Sequence, residues 1–256
     1  MLPTTGAASS PPETPPLAAA CGAVELTGRP ACPTLSSCHN PFVSSNETFD
    51  LAGPAGRLEA ILMLPDGAPQ AAAVVCHAHP LQGGVMHFKV VFRVAKALQA
   101  ENIAALRFNF RGVGRSEGSH DEGRGEQDDV RAALDELARR FPGLPLLAAG
   151  FSFGSVMALR AGCADARVRA LIALGFPLTM VKDPSFLDTC ARPRLFVQGA
   201  ADVFGPGPVL QDSVARLPEP KTIAVVPEAD HFFSGHLEEM HEAVRAWVAT
   251  RPWEMR

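Results

Sequence analysis

No stretch of the 256-residue sequence stays apolar for the roughly 20 residues that cross a bilayer, so a transmembrane helix is not expected. There is no basic excess either. The chain has 23 Lys and Arg against 27 Asp and Glu, a formal net charge of −4, which argues against nucleic acid or another polyanion as partner. None of the six cysteines forms a CxxC pair, and their irregular spacing predicts neither a disulfide framework nor a zinc site. Cys76 lies inside an apolar run and reads as a buried thiol. The N-terminus lacks the basic start and the long apolar segment of a secretion signal. "LAAAC", ending at Cys21, resembles a lipoprotein cleavage site only faintly, because the apolar segment before it is too short. A cytoplasmic setting is therefore expected, with export or lipid anchoring through the N-terminal extension as the lesser alternative. No internal repeat is visible.

What is present is enough apolar residue, 47% of the chain, to bury a core without staples. Residues 1–45 stand apart. They are rich in Pro, Ala, Ser and Thr, have no hydrophobic period, and read as a disordered low-complexity extension. Residues 46–256 read as one domain. "ETFDLAGPAGRLEAILMLP" predicts two short strands joined by a tight turn, a β-hairpin. β-rich runs then alternate with helical patterns. Strands are expected at 71–76, 103–110, 144–150, 168–175, 194–199 and 222–228. Helices are expected near 88–100, 126–140, 154–163, 207–216 and 237–250. This alternation predicts an α/β fold in three layers, with a mostly parallel eight-stranded sheet, helices on both faces and the hairpin at its N-terminal end. The central strands are almost wholly apolar, as two covered faces require.

In such sheets ligands bind beyond the carboxyl ends of the strands. Those positions carry the candidate chemistry. The fifth strand ends in "GFSFGS", with Ser152 between Gly150 and Gly154 at the junction with a helix. The seventh ends in "QGAADVFGP", with Asp202, and the eighth in "PEADHFF", with His231. A serine hydroxyl is a poor nucleophile until a base takes its proton. A histidine can take that proton and return it to the leaving group, and a carboxylate on its other nitrogen fixes the tautomer. Gly-x-Ser-x-Gly at a strand-to-helix junction supplies the sharp elbow that projects such a serine, and Ser…Asp…His is the chain order of one hydrolase class.

Six blocks carry a wider resemblance: "VVCHAHPLQGGVMHFKVV", "ALRFNFRGVGRSEG", "GEQDDVRAALDEL", "GFSFGS", "LFVQGAADVFGP" and "ADHFFSGHLEEM". Together they make residues 47–250 resemble the α/β-hydrolase fold, and within it the dienelactone-hydrolase-like family of small, lidless bacterial serine hydrolases. The resemblance implies Ser152 as nucleophile, Asp202 as acid and His231 as base. It also implies an oxyanion hole made by the Phe153 amide and an amide of the loop after the third strand. His79 is taken as that second donor, since Pro80 has no N–H. Dienelactone hydrolase itself uses a cysteine nucleophile, and the serine here favours plain ester chemistry.

Other readings stand beside these. Asp230 is a rival acid, although neighbouring side chains of an extended segment point apart. His77 and His79, two residues apart after a strand, match part of a metal-dependent hydrolase site, but "PLQGG" supplies no further ligand. His77 is instead expected to shape the oxyanion loop at the edge of the substrate pocket. "RFNFRGVGRSEG" lacks the Gly-Lys-Ser/Thr ending of a phosphate-binding loop. Its Arg107, Arg111 and Arg115 are expected to pair with acids such as Asp128 and Asp129. "EGSHDEGRGEQDD" reads as a solvent-exposed loop without a role.

The segment 176–193 is too short for a cap domain, so the site is expected to be open. Phe176, Phe186, Phe232 and Phe233 are candidates for its apolar pocket. The expected activity is hydrolysis of carboxylic esters of small to medium acyl chain, with a small-molecule ester as partner and no cofactor or metal. Thioester, dienelactone-type or peptide hydrolysis on the same residues, and a non-catalytic binding protein of the same fold, are the alternatives. Monomer and homodimer are both open.

Overall fold

Six residues in a row, Ala71–Cys76, form β3 with every side chain buried, and successive residues face opposite sides. Ala72, Val74 and Cys76 join one core layer, while Ala71, Ala73 and Val75 join the other. A strand this apolar needs cover on both faces, and it lies near the middle of an eight-stranded sheet. The computed structural model describes residues 45–254. The extension expected over 1–45 lies outside the described residues but for Ser45, as do Cys21, Cys32 and Cys38.

β1 (Asn46–Gly53) and β2 (Gly56–Met63) form the N-terminal antiparallel hairpin. β2 pairs antiparallel with β4 (Ile103–Phe108). From there β3, β5 (Leu146–Phe151), β6 (Val168–Leu174), β7 (Arg194–Gly199) and β8 (Lys221–Val226) continue in parallel. The strand order is β1-β2-β4-β3-β5-β6-β7-β8. The chain leaves β3 for β4 on one side and returns to β5 on the other. The loops after β3 and β5 therefore diverge and open a crevice between them.

α1 (Lys89–Ala100) and α5 (Leu237–Ala249) bury Val90, Val94, Met240 and Val244 against one face of the sheet. α2 (Gly125–Arg140), α3 (Phe153–Ala164) and α4 (Gly207–Ala215) cover the other with Val130, Leu134, Leu159 and Leu210. Between β6 and β7 the chain makes only two short 3-10 turns, Leu178–Met180 and Ser185–Leu187, and no cap is built there.

Two expectations are corrected. Cys163 on α3 and Cys190 before β7 are joined as a disulfide. At a sequence separation of 27 and with no flanking pattern, no spacing rule exposes the pair. Cys76 is a buried free thiol, and burial pushes its pKa up. Among the arginines, Arg111 and Arg115 pair with acids as expected, Arg111 with buried Asp129 at 2.7 Å, and Arg107 does not. Arg115 pairs with Glu59 across the hairpin, and Asp128 pairs with Arg131 on its own helix. Arg107 is buried with no carboxylate partner among the described residues. It donates to the Met86 carbonyl at 2.7 Å and lies over the Phe92 ring.

Candidate active site

Ser152 caps α3 with φ 55° and ψ −124°, a backbone conformation that costs a non-glycine residue strain. The flanking glycines explain how the chain reaches it. A Cβ on Gly150 would stand 2.1 Å from the Gly154 carbonyl oxygen, and a Cβ on Gly154 would stand 2.3 Å from that of His77. The elbow closes only because neither residue has a side chain. Its backbone is pinned on both sides. The Ser152 N–H donates to the Leu174 carbonyl at the end of β6, and the Ser155 hydroxyl donates to the Ser152 carbonyl at 2.6 Å.

The loops after β7 and β8 bring two more side chains to the hydroxyl. His231 Nε2 lies 2.9 Å from Ser152 Oγ, and His231 Nδ1 lies 2.8 Å from Asp202 Oδ2. A carboxylate only accepts, so Nδ1 carries the proton and Nε2 is free to accept from the hydroxyl. Asp202 is buried and fully engaged. Oδ1 accepts from the Phe204 N–H at 2.8 Å, and Oδ2 also accepts from Gln198 Nε2 at 2.7 Å. Gln198 is held in turn by the Phe176 N–H and the Gly205 carbonyl. The imidazole is boxed by Phe151, Phe204 and Phe232, with ring centroids 4.7 to 5.2 Å away. Asp230 has a different part. It accepts from the Phe232 and Ser234 N–H groups, and the Ser234 amide first among its causes holds its carboxyl below the usual range.

The loop after β3 stands opposite. His77 is buried beneath it, donating from Nδ1 to the Ala78 carbonyl (2.6 Å) and accepting at Nε2 from the Phe110 N–H (3.0 Å). Burial lowers its pKa to about 4, so it is neutral. Both nitrogens are used, so His77 has none to offer a metal or a substrate. His79 lies at the cavity, 5.0 Å from the Phe153 ring. Burial, and then the neighbouring His120, lower its pKa, and its Nδ1 accepts from the Leu81 N–H. A Cβ on Gly84 would lie 2.0 Å from the Ala78 carbonyl oxygen, so the loop doubles back as tightly as the elbow does. Phe153, the first residue of α3, adds its amide at the positive end of the helix dipole. Phe153 and His79 thus border the space in front of Ser152.

That space is a cavity of about 430 Å³ running along α3. Val156, Met157, Pro177, Met180 and Val181 supply its apolar lining, and Glu122, Arg124, Arg160 and Lys182 its charged groups. The expected phenylalanine pocket is rearranged. Phe176 and Phe233 are in the core, and Phe186 stacks under the Arg160 guanidinium at 4.4 Å. Phe232 is half-exposed, packs against His231 and borders a separate groove with Val85 and Phe88. The charged loop read as lacking a role lines the cavity through Glu122, Gly123, Arg124 and Gln127. It is held by buried Glu126, which accepts from the Asp121 and Gly123 N–H groups at 2.8 Å. His120 Nδ1 lies 2.8 Å from the same carboxylate but off the hydrogen-bond direction. Sequence reasoning missed Gln198 as well; its one signal is a polar side chain at the buried end of "RLFVQG".

Residues 71–249 match the family described as an alpha/beta hydrolase domain. An uncharacterized protein of Rickettsia prowazekii (strain Madrid E) is 34% identical over 206 residues, 77% of this chain and 87% of that protein. An alpha-beta serine hydrolase homologue from Coxiella burnetii has a similar structure, with a TM-score of 0.76 and 36% identity. That match covers 81% of this chain and 100% of the other. A serine hydrolase without a lid from Xanthomonas campestris gives a TM-score of 0.74 and 35% identity, over 83% of this chain and 96% of the other.

Proposed function

The chain belongs to the alpha/beta hydrolase domain family, and on that premise we propose that it is a serine hydrolase that cleaves carboxylic esters of small to medium acyl chain. One observation carries the reading: the unbroken line from Asp202 through His231 to Ser152, with contacts of 2.8 and 2.9 Å.

Ser152 Oγ attacks the ester carbon while its proton passes to His231 Nε2. Asp202 stabilises the imidazolium and keeps it aimed. The developing oxyanion is met by the Phe153 and His79 amides. The carbon–oxygen bond of the ester breaks, and the alcohol leaves with the proton from His231. Water then enters, gives a proton to His231 and attacks the acyl-serine. Breakdown of that second intermediate returns the proton to Ser152 Oγ and releases the acid. Each step balances with ester and water alone.

The open approach to Ser152 and the cavity of about 430 Å³ favour compact acyl groups over long lipid chains. The same groups would serve a thioester, and acyl chains presented on an alcohol or a thiol separate the two. Kinetics on p-nitrophenyl esters of two to eight carbons test the reading. Turnover peaking at short to medium chains and falling at least about a thousandfold in Ser152→Ala supports it. Turnover unaffected by that substitution overturns it.

A further inference from the structure

The cavity beside Ser152 has two kinds of lining. Val156, Met157 and Val181 are apolar. Arg124, Arg160 and Lys182 add three cations, and Glu122 one carboxylate. Arg124 is already satisfied, 2.9 Å from Asp121 and 3.8 Å from Glu122. Arg160 and Lys182 are not. Neither has a carboxylate within ion-pair distance among the described residues. Arg160 gives one N–H to the Asp183 backbone carbonyl at 2.9 Å and rests on the Phe186 ring. The Asp183 carboxylate is turned to the Ser185 N–H at 2.9 Å. The guanidinium is thus fixed in place by a carbonyl and a ring, with the Asp183 charge acting on it but no carboxylate close enough to pair with it.

Which part of a substrate reaches those cations depends on where the alcohol leaves. The leaving oxygen must lie against His231 Nε2, because His231 protonates it. His231 is not among the residues that line this cavity, whereas its neighbour Phe232 lines a second groove with Val85 and Phe88. An alcohol that leaves on the Phe232 side puts the acyl group along α3. Ser152, Val156 and Arg160 follow at four-residue steps on one helix face. The eight-residue separation is about 12 Å along the axis, and helix side chains lean toward the N-terminus, which brings the guanidinium to about 6–9 Å from the serine.

We propose that the acyl group of the substrate ends in a carboxylate, so that the enzyme acts on monoesters of dicarboxylic acids of about six to eight carbons, with Arg160 as the main anion contact and Lys182 as the second. This rests on the serine-esterase reading and narrows its substrate class. A planar guanidinium with a free edge suits a carboxylate, and a cation without an ion pair at the cavity gives an anionic chain end a partner that a neutral chain end lacks.

The test compares mono-p-nitrophenyl adipate with its methyl-capped analogue, which matches it in length and lacks the charge. The wild-type protein is expected to give a kcat/KM ratio of at least about tenfold in favour of the anionic ester, expressed mainly in KM. The ratio should fall toward one in Arg160→Gln and keep part of its value in Arg160→Lys, which retains the charge without the fork. Should either variant misfold, the wild-type ratio itself should shrink as salt rises from about 0.02 to 0.5 M. Equal turnover of both esters, or a ratio unmoved by salt and by a folded Arg160→Gln, overturns the anionic acyl site while leaving the esterase reading intact. Turnover of neither ester, together with no acylation of Ser152, overturns that reading and this inference with it.

Discussion

Gln198 Nε2 donates to Asp202 Oδ2 at 2.7 Å, to the same oxygen that receives His231 Nδ1. The amide is itself locked by the Phe176 N–H and the Gly205 carbonyl, so the carboxylate is aimed by the core rather than by its own loop. Gln198 touches no reacting atom in the proposed mechanism and is a positioning residue. Gln198→Leu is expected to lower kcat by about ten- to a hundredfold with little change in KM, because a misaimed base costs rate rather than binding. Gln198→Glu should be worse, since it sets a second carboxylate beside Asp202. A purely structural role would lower the yield of folded protein and leave kcat per active site unchanged; titration of active sites separates the two.

The elbow makes a sharper demand. Gly154→Ala would push a methyl group to 2.3 Å from a backbone oxygen that cannot swing away. The substitution is expected to cost about 2–4 kcal/mol of stability, in the range of overpacked or strained sites. Urea unfolding against wild type measures it.

The Cys163–Cys190 disulfide ties α3, which carries Val156 and Arg160, to the chain segment that carries Pro177, Met180, Val181 and Lys182. Two of the walls of the candidate substrate cavity are thus joined by one bond. The double variant Cys163→Ser/Cys190→Ser is expected to lose about 3 kcal/mol of stability, as a closed loop of this size implies. Its KM should rise more than its kcat falls. Denaturation and kinetics with and without reductant check this, and reductant should have little effect on the double variant.

His77 makes stability depend on pH. Burial lowers its pKa from 6.5 to about 4, so the unfolded chain binds the proton more readily than the native protein. The stabilisation is fully present above pH 6.5, is lost as pH falls toward 4, and changes no further below that. Its size is about 3 kcal/mol. Unfolding free energy measured from pH 7.5 to 4 should fall by that much more in wild type than in His77→Gln, which cannot titrate.

Ser152, Asp202 and His231 were legible as candidates because each stands in the loop or elbow that follows a parallel strand, and the strand-end rule converts sequence position into spatial neighbourhood. The eight strands and five helices were legible for a related reason: buried central strands leave unbroken apolar runs such as "AAAVVC". The cavity was not. Its walls come from the loop before α2, the middle of α3 and the segment after β6, three stretches that only the fold brings together. Charge hid the first of these, since "EGSHDEGRGEQDD" looks solvated until Glu126 is seen buried beneath it. Phenylalanine identity misled for the converse reason. Phe176 and Phe232 look alike in sequence, yet one is in the core and the other half-exposed. The disulfide joins a helix to a loop across 27 residues, and no local pattern records such a contact.

The central claim is an activated serine at position 152. The most direct measurement is labelling of the purified protein with a fluorophosphonate probe, with the modified residue located by peptide mass mapping, beside Ser152→Ala and His231→Ala. The account predicts a single label on Ser152, absent from Ser152→Ala and slowed at least about a hundredfold in His231→Ala. No label on folded protein, or a label elsewhere that survives Ser152→Ala, would contradict it.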